Sequence, residues 1–199
     1  MRVRFKSEKK AEIVITTEMK AEMYREARGM WSFLSFQGNR VINAYNYSKG
    51  KDLFDANFIG IPEKEYWKRV AYTDFVKQEA EVFSLLFYRL ICCLDSWGKY
   101  CPVLKPYGKD LRKTFHVSDA ADVRDMCAHI DEYLSGKGKN RGSYEVVFEG
   151  RLTNAFSIDV TNNTLVIGGR LNVHDIVNKL NDAWHDFEKD INISLRKLA

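Results

Sequence analysis

The sequence predicts a mainly α-helical protein, a four-helix bundle with a small antiparallel β insert before its last helix. Three observations predict it. Apolar residues recur at alternating spacings of three and four in three long stretches and again near the C-terminal end. Only 3 prolines occur, at Pro62, Pro102 and Pro106, so the stretches between them are free to run as uninterrupted helices. Across residues 143–169 the apolar period falls from that of a helix to that of a strand. Residues 1–199 therefore read as one domain, with 143–169 as a hairpin or three-strand insert within it.

The first helix spans about Thr17 to Tyr45. Tyr24, Ala27, Trp31, Leu34, Gly38, Val41 and Tyr45 form its inner stripe. Gly29 and Gly38 weaken it, and a bend is expected near one of them. Asn46 to Ile61 reads as irregular, with Ser48-Lys49-Gly50 as a turn. The second helix opens at Pro62, a favoured first-turn residue, with Glu63 and Glu65 suited to the positive helix start. Trp67, Ala71, Phe75, Val82, Leu86, Leu90, Cys93 and Trp97 mark its predicted buried face. After Gly98, the segment with Pro102, Pro106 and Gly108 reads as a basic loop.

The third helix begins at Ser118 or Asp119, both good N-caps, and runs to about Leu134, ahead of Gly136 and Gly138. Ala120, Val123, Cys127, Ile130 and Leu134 form its core stripe. Tyr144, Val146 and Phe148 then alternate with polar residues, as do Phe156, Ile158 and Val160. Thr161-Asn162-Asn163 turns the chain, and Leu165 and Ile167 return. Asn172 caps the last helix, with Ile176, Leu180, Ala183, Phe187 and Ile191 inward. A strand within Val3 to Thr16 is the weakest element. Trp31, Trp67, Trp97 and Trp184 all fall on helix stripes and are expected in the core.

Composition narrows the class. Hydrophobic residues make up 45% and charged residues 29%, which suits a folded soluble chain and argues against disorder. The 12 Phe, 10 Tyr and 4 Trp supply a sizeable core. A net charge of +4 permits a nucleic-acid partner without demanding one. The first ten residues carry charge but no apolar run, so no secretory signal is read there. The longest apolar run, Val82 to Leu94, is broken by Arg89 and is too short for a membrane span. Cys92, Cys93, Cys101 and Cys127 show no Cys-x-x-Cys spacing, so they read as reduced thiols of a cytoplasmic protein.

The side of the third helix away from its apolar stripe carries Arg124, Asp125, Ala128, His129 and Glu132. Asp125 and His129 are four apart and stack on one face, with Glu132 three further on. Two carboxylates beside an imidazole favour its protonated form and fix its ring. Arg124 lies about 140° around from His129, so only its long side chain, or a distorted first turn, brings guanidinium to imidazole. Asp119, Asp122, Asp125, His129 and Glu132 could also ligate a divalent ion, but a solvated acidic helix face is the simpler reading. His116, His174 and His185 stand apart without ligand spacing and read as surface or cap residues. Gly168-Gly169 lacks the strand, loop and lysine of a phosphate cradle.

Arg-Asp-x-x-x-His on the third helix of such a bundle, running on into Ile-Asp-Glu-Tyr-Leu, resembles the HEPN superfamily. Its helical domains include metal-independent ribonucleases with an Arg-x4–6-His signature, and Arg124, Asp125 and His129 fill those places. The resemblance implies a HEPN-like fold over most of the chain outside the strands. It also implies endoribonuclease chemistry without cofactor or metal, and a homodimer that pairs two motifs across a cleft. A toxin–antitoxin or phage-defence setting with an antitoxin protein as partner belongs to the same implication.

In such a site His129 moves the proton, Arg124 stabilises phosphorane charge, and Asp125 orients His129. Lys105, Lys109, Arg112 and Lys113 before the motif, and Lys137, Lys139 and Arg141 after it, are candidate contacts to an RNA backbone. A non-catalytic HEPN-like module that dimerises or docks a protein partner is the alternative.

Overall fold

The computed structural model describes residues 14–49, 63–128, 145–148, 151–154, 158–161 and 164–199, with side chains over 14–46, 75–125 and 165–199. Among the described residues the fold is mainly helical with small antiparallel sheets. In chain order the elements are α1 (Thr17–Lys49), α2 (Glu63–Trp97), α3 (Leu104–Thr114), α4 (Val117–Ala128), β1 (Glu145–Phe148), β2 (Arg151–Asn154), β3 (Ile158–Thr161), β4 (Thr164–Ile167), β5 (Leu171–Asn172) and α5 (Val173–Leu198). Helix α1 packs on α2 and α5, while α2 also packs on α3 and α4.

The stripe assigned to α1 is the one it buries: Tyr24, Ala27, Trp31, Leu34, Val41 and Tyr45 are all core residues. The helix runs through Gly29 and Gly38 without interruption, and continues to Lys49 across the predicted turn. Gly38 is needed for packing. A Cβ there would collide with the Val177 side chain of α5 and lie 2.9 Å from the Phe83 ring of α2, so Gly38 lets three helices meet.

At the centre, the Trp31 indole stacks on Phe187 at 4.2 Å and meets Tyr107 edge-on at 5.9 Å. Its Nε1 donates to the Leu180 carbonyl at 3.0 Å, so the buried ring leaves no orphan donor. Tyr107 donates its hydroxyl to Asp190 at 2.8 Å. Burial, reinforced by that carboxylate, pushes the phenol well above its ordinary pKa.

Three sequence expectations need correction. The buried face of α2 is Val76, Ala80, Phe83, Phe87, Leu90, Ile91 and Leu94. Among the members of the predicted stripe with described side chains only Leu90 is fully buried, while Phe75 and Val82 point to solvent. From Val82 to Leu94 the helix is apolar on nearly every side, so two stripes compete. The one carrying two phenylalanines against Gly38 and Phe115 is the one that packs.

The basic loop is largely helix α3. Pro106 sits in its first turn, where a missing N–H breaks no hydrogen bond, and Leu104, Gly108 and Leu111 recur toward the core. Helix α4 begins at Val117, just ahead of the predicted caps.

The insert forms two antiparallel sheets, β1–β2 and β3–β4–β5. Strand β2, with Leu152 as its one large apolar residue, carried no readable alternation. Thr161 pairs with Thr164, the register a two-residue Asn-Asn connection implies. Gly168 and Gly169 adopt positive φ values of 58° and 63°, turning β4 into β5. The Asn172 side chain accepts from the Asp175 amide at 3.2 Å, the expected cap of α5. Ile176, Leu180, Phe187 and Ile191 are fully buried, with Ala183 half-buried. Trp31 is core, Trp97 and Trp184 are partly buried, and the Trp67 side chain lies outside the described residues. The expected early strand has no counterpart in 14–16, and the rest of it also lies outside them. Among the described residues no helix is long and apolar enough to cross a membrane.

Candidate functional site

Ala120 and Val123 bury the inner side of α4 against α2, with Arg124, one turn on from Ala120, at the edge of that side and Asp125 beyond it. Arg124 is exposed and Asp125 half-buried, and Arg124 Nη1 lies 3.8 Å from Asp125 Oδ1. His129, the third member of the proposed set, lies outside the described residues, as do Glu132, Lys137, Lys139 and Arg141.

Facing α4, Tyr88 and Cys92 stand one turn apart on α2. Hydrogen bonding to the Cys92 thiol holds the Tyr88 phenol above its ordinary pKa. The guanidinium charges of Arg124, from α4, and Arg112, from α3, both act on that phenol and oppose the shift. Charges carried by two separate helices thus bear on one residue of α2. Arg112 is also ion-paired with Asp95 of α2 through two of its nitrogens.

On α3, Lys105, Lys109, Arg112 and Lys113 are spaced by four, three and one, which sets all four along one exposed side. A loop would have left their relative directions open, whereas the helix lines them up. Lys105, Lys109 and Lys113 make no ion pair with another described residue. Across the same helix Asp110 is held by Lys179 at 2.7 Å, so α3 is anchored to α5 while its basic stripe faces out.

A second cluster escaped sequence reasoning. A cleft of about 480 Å³ opens where the α3–α4 junction meets the start of α5, lined by His116, Asp119, Arg170, Asp175, Lys179 and Asp182 among others. Burial raises the Asp119 carboxyl above the ordinary carboxylate range, against the pull of His116 and Arg170. The left-handed glycines aim Arg170 here, and its Nη1 donates to the Gly168 carbonyl at 3.4 Å. Asp119 and Arg170 are far apart in sequence, so no spacing could signal their meeting. His174, by contrast, is structural, its Nδ1 accepting the Leu165 amide at 3.1 Å. Among the described residues no group of three or more His, Cys, Asp or Glu side chains is arranged to hold a metal ion.

Comparison of the chain with protein-family models, with curated proteins and with solved structures finds no match.

Proposed function

We propose that this protein is a metal-independent endoribonuclease of HEPN type, built on a HEPN-like four-helix bundle. One observation carries the reading. Arg124 of α4 is exposed, and its charge, like that of Arg112 at the end of the basic stripe of α3, acts on the Tyr88 phenol of α2. A phosphodiester lying along that stripe meets a permanent cation at its α4 end.

In the reaction a ribose 2′-hydroxyl attacks the adjacent phosphorus. His129 takes the hydroxyl proton as the P–O bond forms, and Arg124 stabilises the charge gathering on the phosphoryl oxygens. The bond to the 5′-oxygen breaks, and that oxygen receives a proton on leaving. The products are a 2′,3′-cyclic phosphate and a 5′-hydroxyl. Asp125 is assigned the task of orienting His129. A homodimer and an antitoxin protein are the partners this reading carries with it.

The test is cleavage of RNA by purified protein in EDTA. Wild type is expected to cut, and His129→Ala and Arg124→Ala to abolish cutting while the thermal transition moves by only a few degrees. Equal cutting by the His129 variant, or none by wild type, rejects the enzyme. A second reading, a non-catalytic HEPN-like module that dimerises or docks a partner, draws support from exposed phenylalanines on α1 and α2. Intact association without cleavage selects it.

A further inference from the structure

The β3–β4–β5 sheet stops where α5 starts. Strand β5 is only two residues long. In its ladder with β4, Ile167 pairs with Leu171 and Val166 with Asn172, so a further rung would set Leu165 opposite Val173. Val173 is the first residue of α5, and helix geometry withdraws it from the ladder. The Leu165 amide, on a fully buried residue, therefore meets no strand at this point. Nδ1 of His174 accepts it instead, at 3.1 Å. The imidazole stands in for the missing rung, and it does so as an acceptor.

We infer that His174 is a proton-controlled stop on this sheet: uncharged, its ring holds β4 on the first turn of α5, and protonated, it releases β4. The amide binds the lone pair of Nδ1. A proton placed there makes a second donor, so two N–H groups face one another and the buried amide is left unsatisfied. Imidazole is the side chain that ordinarily changes charge between about pH 5 and 8. A charge on this ring also meets the positive start of α5.

The surrounding groups come from several elements. On α5 the Asp175 carboxylate follows the ring in the first turn, and Arg170 of the β4–β5 turn and Asp119 of α4 line the cleft beside Asp175. Strands β4 and β5 carry no charged residue, while β3 has Asp159 in register with Val166. On α1, Tyr45 lies two turns past the Gly38 contact with Val177, and burial pushes its phenol up, so it stays uncharged in acid. Arg170 opposes a charge on the ring and Asp175 favours it. The amide decides, because it repels an N–H in any surroundings.

Strand β4 runs on into the Gly168–Gly169 turn that presents Arg170 to the cleft. Release of Leu165 thus loosens the sheet on the side that reaches α4. Neither RNA nor His129 enters this switch, so its test is separate from cleavage.

Nuclear magnetic resonance on the full chain reads the contact directly. A nitrogen–nitrogen coupling through the hydrogen bond from Leu165 to His174 is expected at about pH 7.5 and lost at about pH 5. Protection of the Leu165 amide from solvent exchange, corrected for the intrinsic rate, is expected to fall about tenfold over the same interval. The Leu180 amide, inside α5, is expected to keep its protection. His174→Asn, whose side-chain oxygen accepts without taking a proton, is expected to protect Leu165 equally at both pH values. The wild-type measurement decides the matter even if that variant fails to fold. A coupling absent at about pH 7.5 or retained at about pH 5, a fall shared equally by Leu180, or an acid loss in the asparagine variant as large as in wild type overturns the inference.

Discussion

Two exposed faces of this protein differ in almost every respect. The outward side of α3 carries Lys105, Lys109, Arg112 and Lys113 on a short helix held to its neighbours by ion pairs, Arg112 with Asp95 and Lys179 with Asp110. The outward flank of α1 and α2 carries phenylalanines, valine and leucine on two long helices locked by Gly38 and by the Arg40–Glu79 pair. The first repels a copy of itself and attracts polyanions at a distance. The second has balanced charge and gains only from contact that excludes water. A single helical scaffold thus separates a long-range electrostatic surface from a short-range apolar one, and each can be altered without touching the other.

Both faces depend on one core, so the largest effect comes from removing its centre. Trp31→Ala is expected to destabilise the fold by about 3–5 kcal/mol, lowering the calorimetric transition by roughly 10 °C or more and erasing both faces together. Gly38→Val comes next. The added side chain meets Val177 and Phe83, and overpacking of this kind is expected to cost about 1–3 kcal/mol in urea unfolding. This change splays α1 from α2 and α5, so the apolar flank suffers while the α3 stripe keeps its charge. Unchanged stability would mean that the three helices do not meet at that glycine.

Tyr107 sharpens the comparison, because it ties the basic helix to the core. Its phenol is raised in the folded protein, so the folded state holds the proton more tightly than the unfolded chain does. The stabilisation is complete below the ordinary phenol pKa, about 10, and declines as pH rises above it. Tyr107→Phe is expected to lose about 1–2 kcal/mol at neutral pH through the lost hydrogen bond to Asp190, and to flatten the alkaline decline of the melting temperature. A decline as steep as wild type would assign it to other tyrosines.

Changing Lys105, Lys109 and Lys113 to Ala one at a time is expected to leave stability within about 0.5 kcal/mol. Each change should lower the salt slope of RNA retention by about one. The smallest effect is expected at Asp119. Its carboxyl is raised by burial, so ionisation above the ordinary carboxylate range works against the fold, and Asp119→Asn should raise the melting temperature slightly at neutral pH and not at acid pH.

The sequence made the inner faces of α1 and α5 readable because each has one apolar stripe and a polar remainder. Helix α2 was legible as a helix but not as a face. A segment such as Phe83-Ser84-Leu85-Leu86-Phe87 offers apolar residues in several directions, and partners distant in sequence, Gly38 for Phe83 and Phe115 for Phe87, decide which ones pack. Helix α3 was hidden by Pro106 and Gly108, residues that signal a break in general. Here one sits where a helix needs no N–H, and the other where a Cβ would stand only 3.1 Å from Leu94 and Asp95 side-chain atoms, a tight approach. The candidate site was legible in part. The alignment of the α3 charges follows from their spacing on a helix, but the joint action of Arg112 and Arg124 on Tyr88 depends on how three helices dock.

One junction has a mechanical meaning. Asn172 is the last residue of β5 and also the cap of α5, so sheet and helix follow one another with no linker between them. A second tie, from the Leu165 amide to the His174 ring, clamps the neighbouring strand to the first turn of the same helix. The three-stranded sheet therefore works as a handle welded to the shaft of α5. Whatever grips or twists the handle rotates the shaft, and the amides of both should exchange with deuterium as one cooperative unit.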